Sequence, residues 1–349
     1  MFRFVSKEKV LVVISLIFLI SVLASAENVR ICVWEGTQKP LLESFKGKYR
    51  GQLSLVKFNG KYFVINTMDI EEYLFGVIGK EMGPSWPFEA LKAQAVCSRT
   101  LIYYYKEIAA KKKAIYDVSD TIYHQVYGGI TSENEALVRA VEETSNQVLA
   151  GQNDNNGYNI IPSFFHACCG GHTCSASNVW GMRSNDLVGV EDPYCNGTPF
   201  YRWSKTFNKD EISSMLGMDV SSVTISEYDE GGRAKQLEFS GKFGKKYMSA
   251  EKFRMLTING STTFSSSKTL PSTMFSIMKR GNDFIFNGTG YGHGVGLCQW
   301  GARTMAEEGK TYIDILKHYF PALTLMRINK SGNVSTLVPL VEPEPSKGG

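Results

Sequence analysis

Asp69-Ile70-Glu71-Glu72-Tyr73-Leu74-Phe75-Gly76-Val77-Ile78-Gly79-Lys80-Glu81-Met82-Gly83-Pro84-Ser85-Trp86-Pro87 is the stretch on which the reading of this 349-residue chain turns. Asp69 is suited to cap a helix, and Glu72 follows in capping-box spacing. Ile70, Tyr73, Leu74, Val77 and Ile78 recur at helical spacing and make one apolar stripe. Gly83-Pro84 stops that helix, and Pro87 opens a second at a position where a missing N–H costs little. Leu91, Ala95, Ser98 and Ile102 define the inner face of the second helix, with Glu89, Lys92 and Lys106 outside. Glu81 follows Val77 and Ile78 at spacings that share a helix face, so a carboxylate sits on or beside the buried stripe. Burial and the negative end of the helix dipole both raise a carboxyl pKa there. A carboxyl group still protonated near neutral pH is suited to general-acid work. The alternative is an ordinary solvated glutamate at a helix end.

Working outward, Val29 to Trp34 reads as a strand, and Gln52 to Phe58 with Tyr62 to Ile65 as a hairpin about Asn59-Gly60. Glu133 to Glu143 reads as a helix, Asn153 to Gly157 as a polar loop and Ile160 to Phe165 as a short strand. Val220 to Phe286 reads as mainly β, broken at Gly231-Gly232, Asn259-Gly260 and Gly281-Asn282. Ala302 to Glu308 and Ile313 to Tyr319 read as helices, and the Pro/Glu/Lys/Gly tail from Val341 as disordered. This order predicts a mixed α+β protein. Its β-rich core carries a helix pair near the N-terminal third, and its C-terminal half is β-rich.

Composition supports a packed domain: 43% of residues are hydrophobic and 21% charged. The net charge of +4 is too small to argue for nucleic acid, so none is expected as a partner. Arg3, Lys7 and Lys9, the apolar run Val10 to Leu23 and Ala24-Ser25-Ala26 together read as a secretory signal cleaved after Ala26. An uncleaved signal would serve instead as a membrane anchor. Either way the protein is expected to be exported, to the periplasm or cell envelope.

Export gives the seven cysteines a context in which some should pair. Cys32 and Cys97 read as small buried hydrophobes. His166-Ala167-Cys168-Cys169-Gly170-Gly171-His172-Thr173-Cys174 is dense in soft and borderline metal ligands. Zinc would gather His166, His172 and two of Cys168, Cys169, Cys174 and Cys195. The other reading is a Cys169–Cys195 disulfide, which would close a loop of roughly 27 residues and add about 3 kcal/mol in the chain-entropy model. Export favours the disulfide, so no cofactor is expected to be required, with zinc at the Cys/His loop as the alternative. Gly290-Tyr291-Gly292-His293-Gly294-Val295-Gly296 implies close backbone approach, but it lacks the context of a dinucleotide fingerprint and the Lys-Ser/Thr end of a P-loop.

Four stretches together resemble the stage II sporulation protein D family, which includes the amidase enhancers. They are Glu81 to Val96 with Arg99-Thr100; Ser119-Asp120-Thr121 with Gln125-Val126-Tyr127-Gly128; Phe165-His166, Cys169 to Thr173 and Val179-Trp180-Gly181; and Gly290 to Gly296 with Gln299, Gly301 and Ala302. The resemblance covers roughly Val29 to Leu325. Gly83 stands where the family usually has proline, Cys168 where it has threonine, and Cys174 is an added thiol.

The resemblance implies a peptidoglycan lytic transglycosylase that cleaves between N-acetylmuramic acid and N-acetylglucosamine and leaves 1,6-anhydro ends. It puts the catalytic acid at Glu81. It also suggests Gln125, Tyr127, His166, His293 and Gln299 as substrate-binding residues gathered about Glu81 in one cleft, and Arg99 as a further substrate-binding residue. The alternative within the same family is a non-catalytic enhancer that partners a cell-wall amidase or presents glycan to it. On this reading residues 1–26 are the signal peptide and 27–68 an N-terminal β segment. Residues 69–326 are the catalytic domain and 327–349 a flexible tail.

Overall fold

The structure is a computed structural model that describes residues 27–340, apart from 122–123, 183, 260–267 and 332–333. The expected signal peptide and the end of the tail lie outside the described residues. Among those described there are eight α-helices and sixteen strands, a mixed α+β arrangement with several small sheets. No helix of the described residues is long and apolar enough to cross a membrane.

The first sheet has the order β2-β3-β1-β4, from β1 (Asn28–Gly36), β2 (Gln52–Phe58), β3 (Lys61–Asp69) and β4 (Val118–Ser119). The β2–β3 turn forms as expected at Asn59 and Gly60, both with positive φ (47° and 78°), the geometry that favours Asn-Gly. β3 runs straight into α1 (Ile70–Glu81). Asp69 caps that helix by accepting from the Glu71 and Glu72 N–H groups. The reciprocal half of a capping box gives way to an ion pair, since Glu72 faces Arg50 at 3.9 Å.

α2 (Phe88–Lys112) follows, with Pro87 at its N-cap rather than inside its first turn. The stripe Ile70, Tyr73, Leu74, Val77 and Ile78 is buried against Leu91, Ala95, Ile102, Val29 and Met68 in one core. The expected boundary between 68 and 69 therefore cuts through a continuous packing unit.

α3 (Glu135–Glu143) precedes β5 (Gln147–Gln152) and β6 (Tyr158–Ile160). The apolar run expected as one strand from Ile160 to Phe165 is split. Its end forms β7 (Phe165–His166), which pairs in parallel with β14 (Leu297–Cys298). α4 (Ala176–Trp180) is a short helix.

A second module then leaves the main body. It comprises β8 (Arg202–Asn208), α5 (Lys209–Leu216), β9 (Ser222–Tyr228), β10 (Ala234–Gly241), β11 (Gly244–Ser249), α6 (Ala250–Asn259), β12 (Phe275–Arg280) and β13 (Asp283–Thr289). Two three-stranded sheets enclose its own core of Phe207, Leu237, Phe239, Phe253 and Phe286. The span from Val220 to Phe286 is thus mainly β, with α6 added where its apolar residues pack on the sheets.

The chain returns through β14 to α7 (Gln299–Glu307) and α8 (Tyr312–Tyr319), and ends in β15 (Thr324–Ser331) and β16 (Val334–Pro339). β15 pairs with β5, and Met326 and Ile328 are buried with Val148 and Ala150. The flexible tail expected from residue 327 is corrected: the chain remains in a sheet as far as Pro339. Pairing of β15 with β5 on one side and β16 on the other holds the segment in place.

Candidate active site

Glu81 stands at the end of α1, and its side chain enters a cleft of about 360 Å³. That volume lies within the usual range of about 300–1,000 Å³ for small-molecule sites. α1 and the 124–126 segment supply one side of the cleft, and β7, α4 and the Tyr291–His293 loop supply the other. Gln299, the first residue of α7, completes it. Glu81 is the only carboxylate among the described residues that line it.

Burial pushes the Glu81 carboxyl pKa up. Two hydrogen bonds oppose the shift without cancelling it. The Val126 N–H donates to Glu81 Oε1 at 3.2 Å, and the Gln299 side chain bonds to the same carboxylate. Behind Gln299 a buried amide chain continues. Gln299 Nε2 donates to Gln94 Oε1 at 3.4 Å, and Gln94 Nε2 donates to Ser98 Oγ at 3.0 Å. The carboxyl is therefore anchored through α2 to the core.

His293 ties its own glycine-rich loop to β7 on the opposite wall. Its Nδ1 accepts from the Val295 N–H at 3.1 Å, so the ring proton lies on Nε2, which donates to the Phe165 carbonyl at 2.9 Å. Burial, with the nearby charges of Arg254 and Arg233, lowers its pKa to about 3. His166 packs beside it, with ring centroids 5.4 Å apart. Its Nδ1 lies 3.2 Å from the Val295 carbonyl, and its buried Nε2 has no partner. Burial first, then His293 and Arg233, hold His166 well below its ordinary pKa. Both imidazoles are thus neutral. Gly292 has φ 113°, and a Cβ there would lie 2.8 Å from the His166 Cβ, so only glycine lets the loop approach this closely.

The structure brings together Glu81, His166, His293 and Gln299 of the expected set, and separates the others. Arg99 is a correction. It is fully buried, and its guanidinium is bidentate to Glu71 at 2.8 and 2.6 Å and donates to the Val141 and Gln147 carbonyls. Gln125 is turned inward, with Nε2 donating to the Ser98 carbonyl at 3.2 Å. Tyr127 is buried between Tyr49 and Tyr73 and donates its hydroxyl to Met68 Sδ. These three hold the helices that carry Glu81; they do not line the cleft.

Other lining residues were not expected from sequence. Val126 acts through its backbone, which no side-chain pattern announces. Trp180 is 41% exposed at the cleft, against Phe164 and His293. Its place in the third stretch was the available signal.

Larger hollows lie elsewhere without comparable chemistry. One of about 570 Å³ beside Trp203 and Phe275 has no carboxylate in its lining. In another of about 610 Å³, Glu27 and Glu107 are ion-paired with Lys106 and Lys111.

The cysteine loop is also rearranged. His166 belongs to the cleft, His172 Nδ1 lies 2.6 Å from the Thr173 carbonyl, and Cys174 donates to Asp229 at 2.9 Å. The ligand set expected from His166, His172, Cys168, Cys169 and Cys174 therefore does not assemble. Instead Cys169 meets Cys195, Cys298 and Asp192, with all four ligand atoms within 4.8 Å of one another. Cys169 and Cys195 do lie side by side, with sulfurs 3.4 Å apart, but both are free thiols, so the expected disulfide is not formed.

Comparison with known proteins adds a lineage to this geometry. The family model described as stage II sporulation protein matches residues 58–150, and a domain of unknown function matches 185–296. The chain is 35% identical over 289 residues to an uncharacterized protein of Brachyspira hyodysenteriae, covering 81% of this chain and 73% of that one. It is 30% identical over 275 residues to the stage II sporulation protein D of Bacillus subtilis, covering 73% and 74%. The amidase enhancer of Bacillus subtilis is 30% identical over 304 residues, which is 72% of this chain but only 40% of that protein.

Proposed function

The chain belongs to the stage II sporulation protein D family, and we propose that it is an exported lytic transglycosylase that cuts the glycan strands of bacterial cell wall. The observation that carries this reading is the single buried carboxyl group of the cleft. Hydrolytic glycosidases generally use two carboxylates, one for the leaving group and one for water or a covalent intermediate. A transglycosylase that closes a ring within its own substrate can use one.

Glu81, whose protonated form is favoured by burial, gives its proton to the oxygen bridging N-acetylmuramic acid and N-acetylglucosamine as that bond breaks. The carboxylate left behind takes the proton of the muramic acid 6-hydroxyl, whose oxygen bonds to the anomeric carbon. The products are a 1,6-anhydro end and a free 4-hydroxyl, and Glu81 is protonated again. The nucleophile is part of the bound sugar, so much of the entropic cost of bringing it in is removed. The Val126 N–H and Gln299 stabilise the carboxylate in mid-cycle. The neutral His166 and His293 add no positive charge that would hold Glu81 ionised. Trp180 offers an aromatic face to a sugar ring at the cleft.

A second reading follows from the likeness to the amidase enhancer: the chain binds glycan and assists a cell-wall amidase without cutting strands. Digestion of peptide-free glycan followed by mass spectrometry separates the two. Anhydro ends support the enzyme. Faster peptide release by an added amidase, with no such ends, supports the enhancer. Export through residues 1–26 is tested by N-terminal sequencing of the protein recovered from the cell envelope.

A further inference from the structure

Behind the cleft, three thiols and a carboxylate share one buried space. The ligand atoms of Cys169, Cys195, Cys298 and Asp192 lie within 4.8 Å of one another, and all four residues are buried. They come from three separate segments: the loop after β7, the 3₁₀ turn Pro193–Cys195 with its N-cap Asp192, and the N-cap of α7.

Two independent features point to a ligand. Backbone amides are aimed at the sulfurs: the Cys169 N–H donates to Cys298 Sγ at 3.2 Å, and the Gly171 N–H to Cys169 Sγ at 3.3 Å. A thiol is a weak acceptor, whereas a thiolate, the form that binds metal, is a strong one. Asp192, meanwhile, is fully buried, and no cation lies among the groups that act on it. Its carboxylate accepts from the Tyr319 hydroxyl, the Tyr194 N–H and the Cys169 and Cys298 thiols, all of them neutral donors. Burial of an ionised carboxylate without a cation is costly.

We infer that Cys169, Cys195, Cys298 and Asp192 bind one zinc ion. Three sulfurs and one oxygen are a donor set suited to tetrahedral Zn²⁺. Zinc–sulfur bonds of about 2.3 Å require sulfurs about 3.8 Å apart, close to the 3.4 Å between Cys169 and Cys195. On binding, the thiols release their protons to solvent, the ion takes four donor bonds, and no electron is transferred. The ion would tie together the segments that carry His166 and Gln299, since Cys169 follows His166 closely and Cys298 directly precedes Gln299. That consequence for the cleft rests on the function proposed above; the site itself does not.

Metal analysis of the full chain, purified under reducing conditions from zinc-supplemented cells, tests the site without any variant. One zinc per chain is expected. Folded protein without zinc, whether its thiols are free or crosslinked, overturns the inference. Cobalt exchanged into the site should give thiolate charge-transfer absorption in the near ultraviolet. Cys298→Ser and Asp192→Asn should each weaken zinc binding by more than about tenfold, while His172→Ala and Cys174→Ser leave it unchanged. Cys168 lies alongside the cluster. Zinc lost from Cys168→Ser but kept by Asp192→Asn would overturn the assigned ligands.

Discussion

The backbone N–H of Val126 donates to the side chain of Glu81 across 45 residues of sequence, at 3.2 Å. This bond orients the carboxyl group into the cleft. It is also too weak to undo the effect of burial, so the group keeps a raised pKa. A candidate acid is thereby fixed in place, and the same local packing favours its protonated form.

Glu81→Gln should fold normally and lose glycan-strand cleavage by about a hundredfold to ten-thousandfold. Glutamine keeps the shape and can still accept from the Val126 N–H, but it has no proton to give. In the wild type, kcat/KM should fall as pH rises through the raised Glu81 pKa. Release of anhydro products, followed by mass spectrometry across pH, checks both expectations; near-wild-type turnover by the variant would remove Glu81 from the mechanism.

The same substitution should stabilise the protein at neutral pH. A carboxyl whose folded pKa is raised binds its proton more tightly folded than unfolded. Its stabilising contribution is complete below the unfolded pKa and is lost as pH rises through the folded one. The Tm of Glu81→Gln should therefore exceed that of wild type near pH 7, with the gap closing towards pH 4. Parallel melting curves measure this, and a variant less stable at pH 7 would show that burial does not dominate at Glu81.

His293 should not titrate between pH 5 and 8. Its pKa is lowered to about 3, and both ring nitrogens are engaged, one by Val295 and one by Phe165. NMR of the imidazole C–H signals is the direct measurement. His293→Ala would leave the Phe165 carbonyl and the Val295 N–H without their partner, at a cost of about 1–3 kcal/mol.

Arg99→Ala should destabilise the protein strongly, by about 3 kcal/mol, without altering KM for glycan in the molecules that remain folded. The guanidinium is wholly buried, and its loss strands Glu71 and two carbonyls. Denaturant unfolding and steady-state kinetics on the same preparation distinguish this from a role in substrate binding, which would raise KM at unchanged stability.

Local chemistry explains what was readable in the sequence. Asp69 and the Ile70–Ile78 stripe specify α1 because a cap and a helical period act over a few residues. The Asn59-Gly60 turn is equally local. Arg99, Gln125 and Tyr127 were assigned to the substrate because they stand in the same stretches as cleft residues, and membership of a stretch does not say which way a side chain faces. The ligand cluster failed for the converse reason. Residues close in sequence, such as His172 and Cys174, turn away, while Cys195, Asp192 and Cys298 arrive from other segments. The parallel pairing of β7 with β14 brings in Cys298, and the isolated His172–Glu191 bridge with the Asp192 N–H bonded to the Gly171 carbonyl brings in Asp192 and Cys195; pairings this short leave almost no periodic signal.

The second module has a consequence for the order in which the site is built. Its first and last strands pair so that Arg202 stands opposite Thr289, and the Gly290 N–H donates to the Tyr201 carbonyl at 2.9 Å. The chain leaves and returns at one point. Because the module has a core of its own, it can collapse during synthesis before the rest is complete. It then hands the His293 loop back beside the His166 strand, where an unstructured insertion would leave a long loop for the cleft to close. Seen from the ribosome, the insertion is a folding jig. The module also bonds to the walls it delivers, through Arg233, which donates to the Cys169 carbonyl, and the Pro271 carbonyl, which accepts from the Gly292 N–H, so scrambling its core should delay their meeting in refolding kinetics.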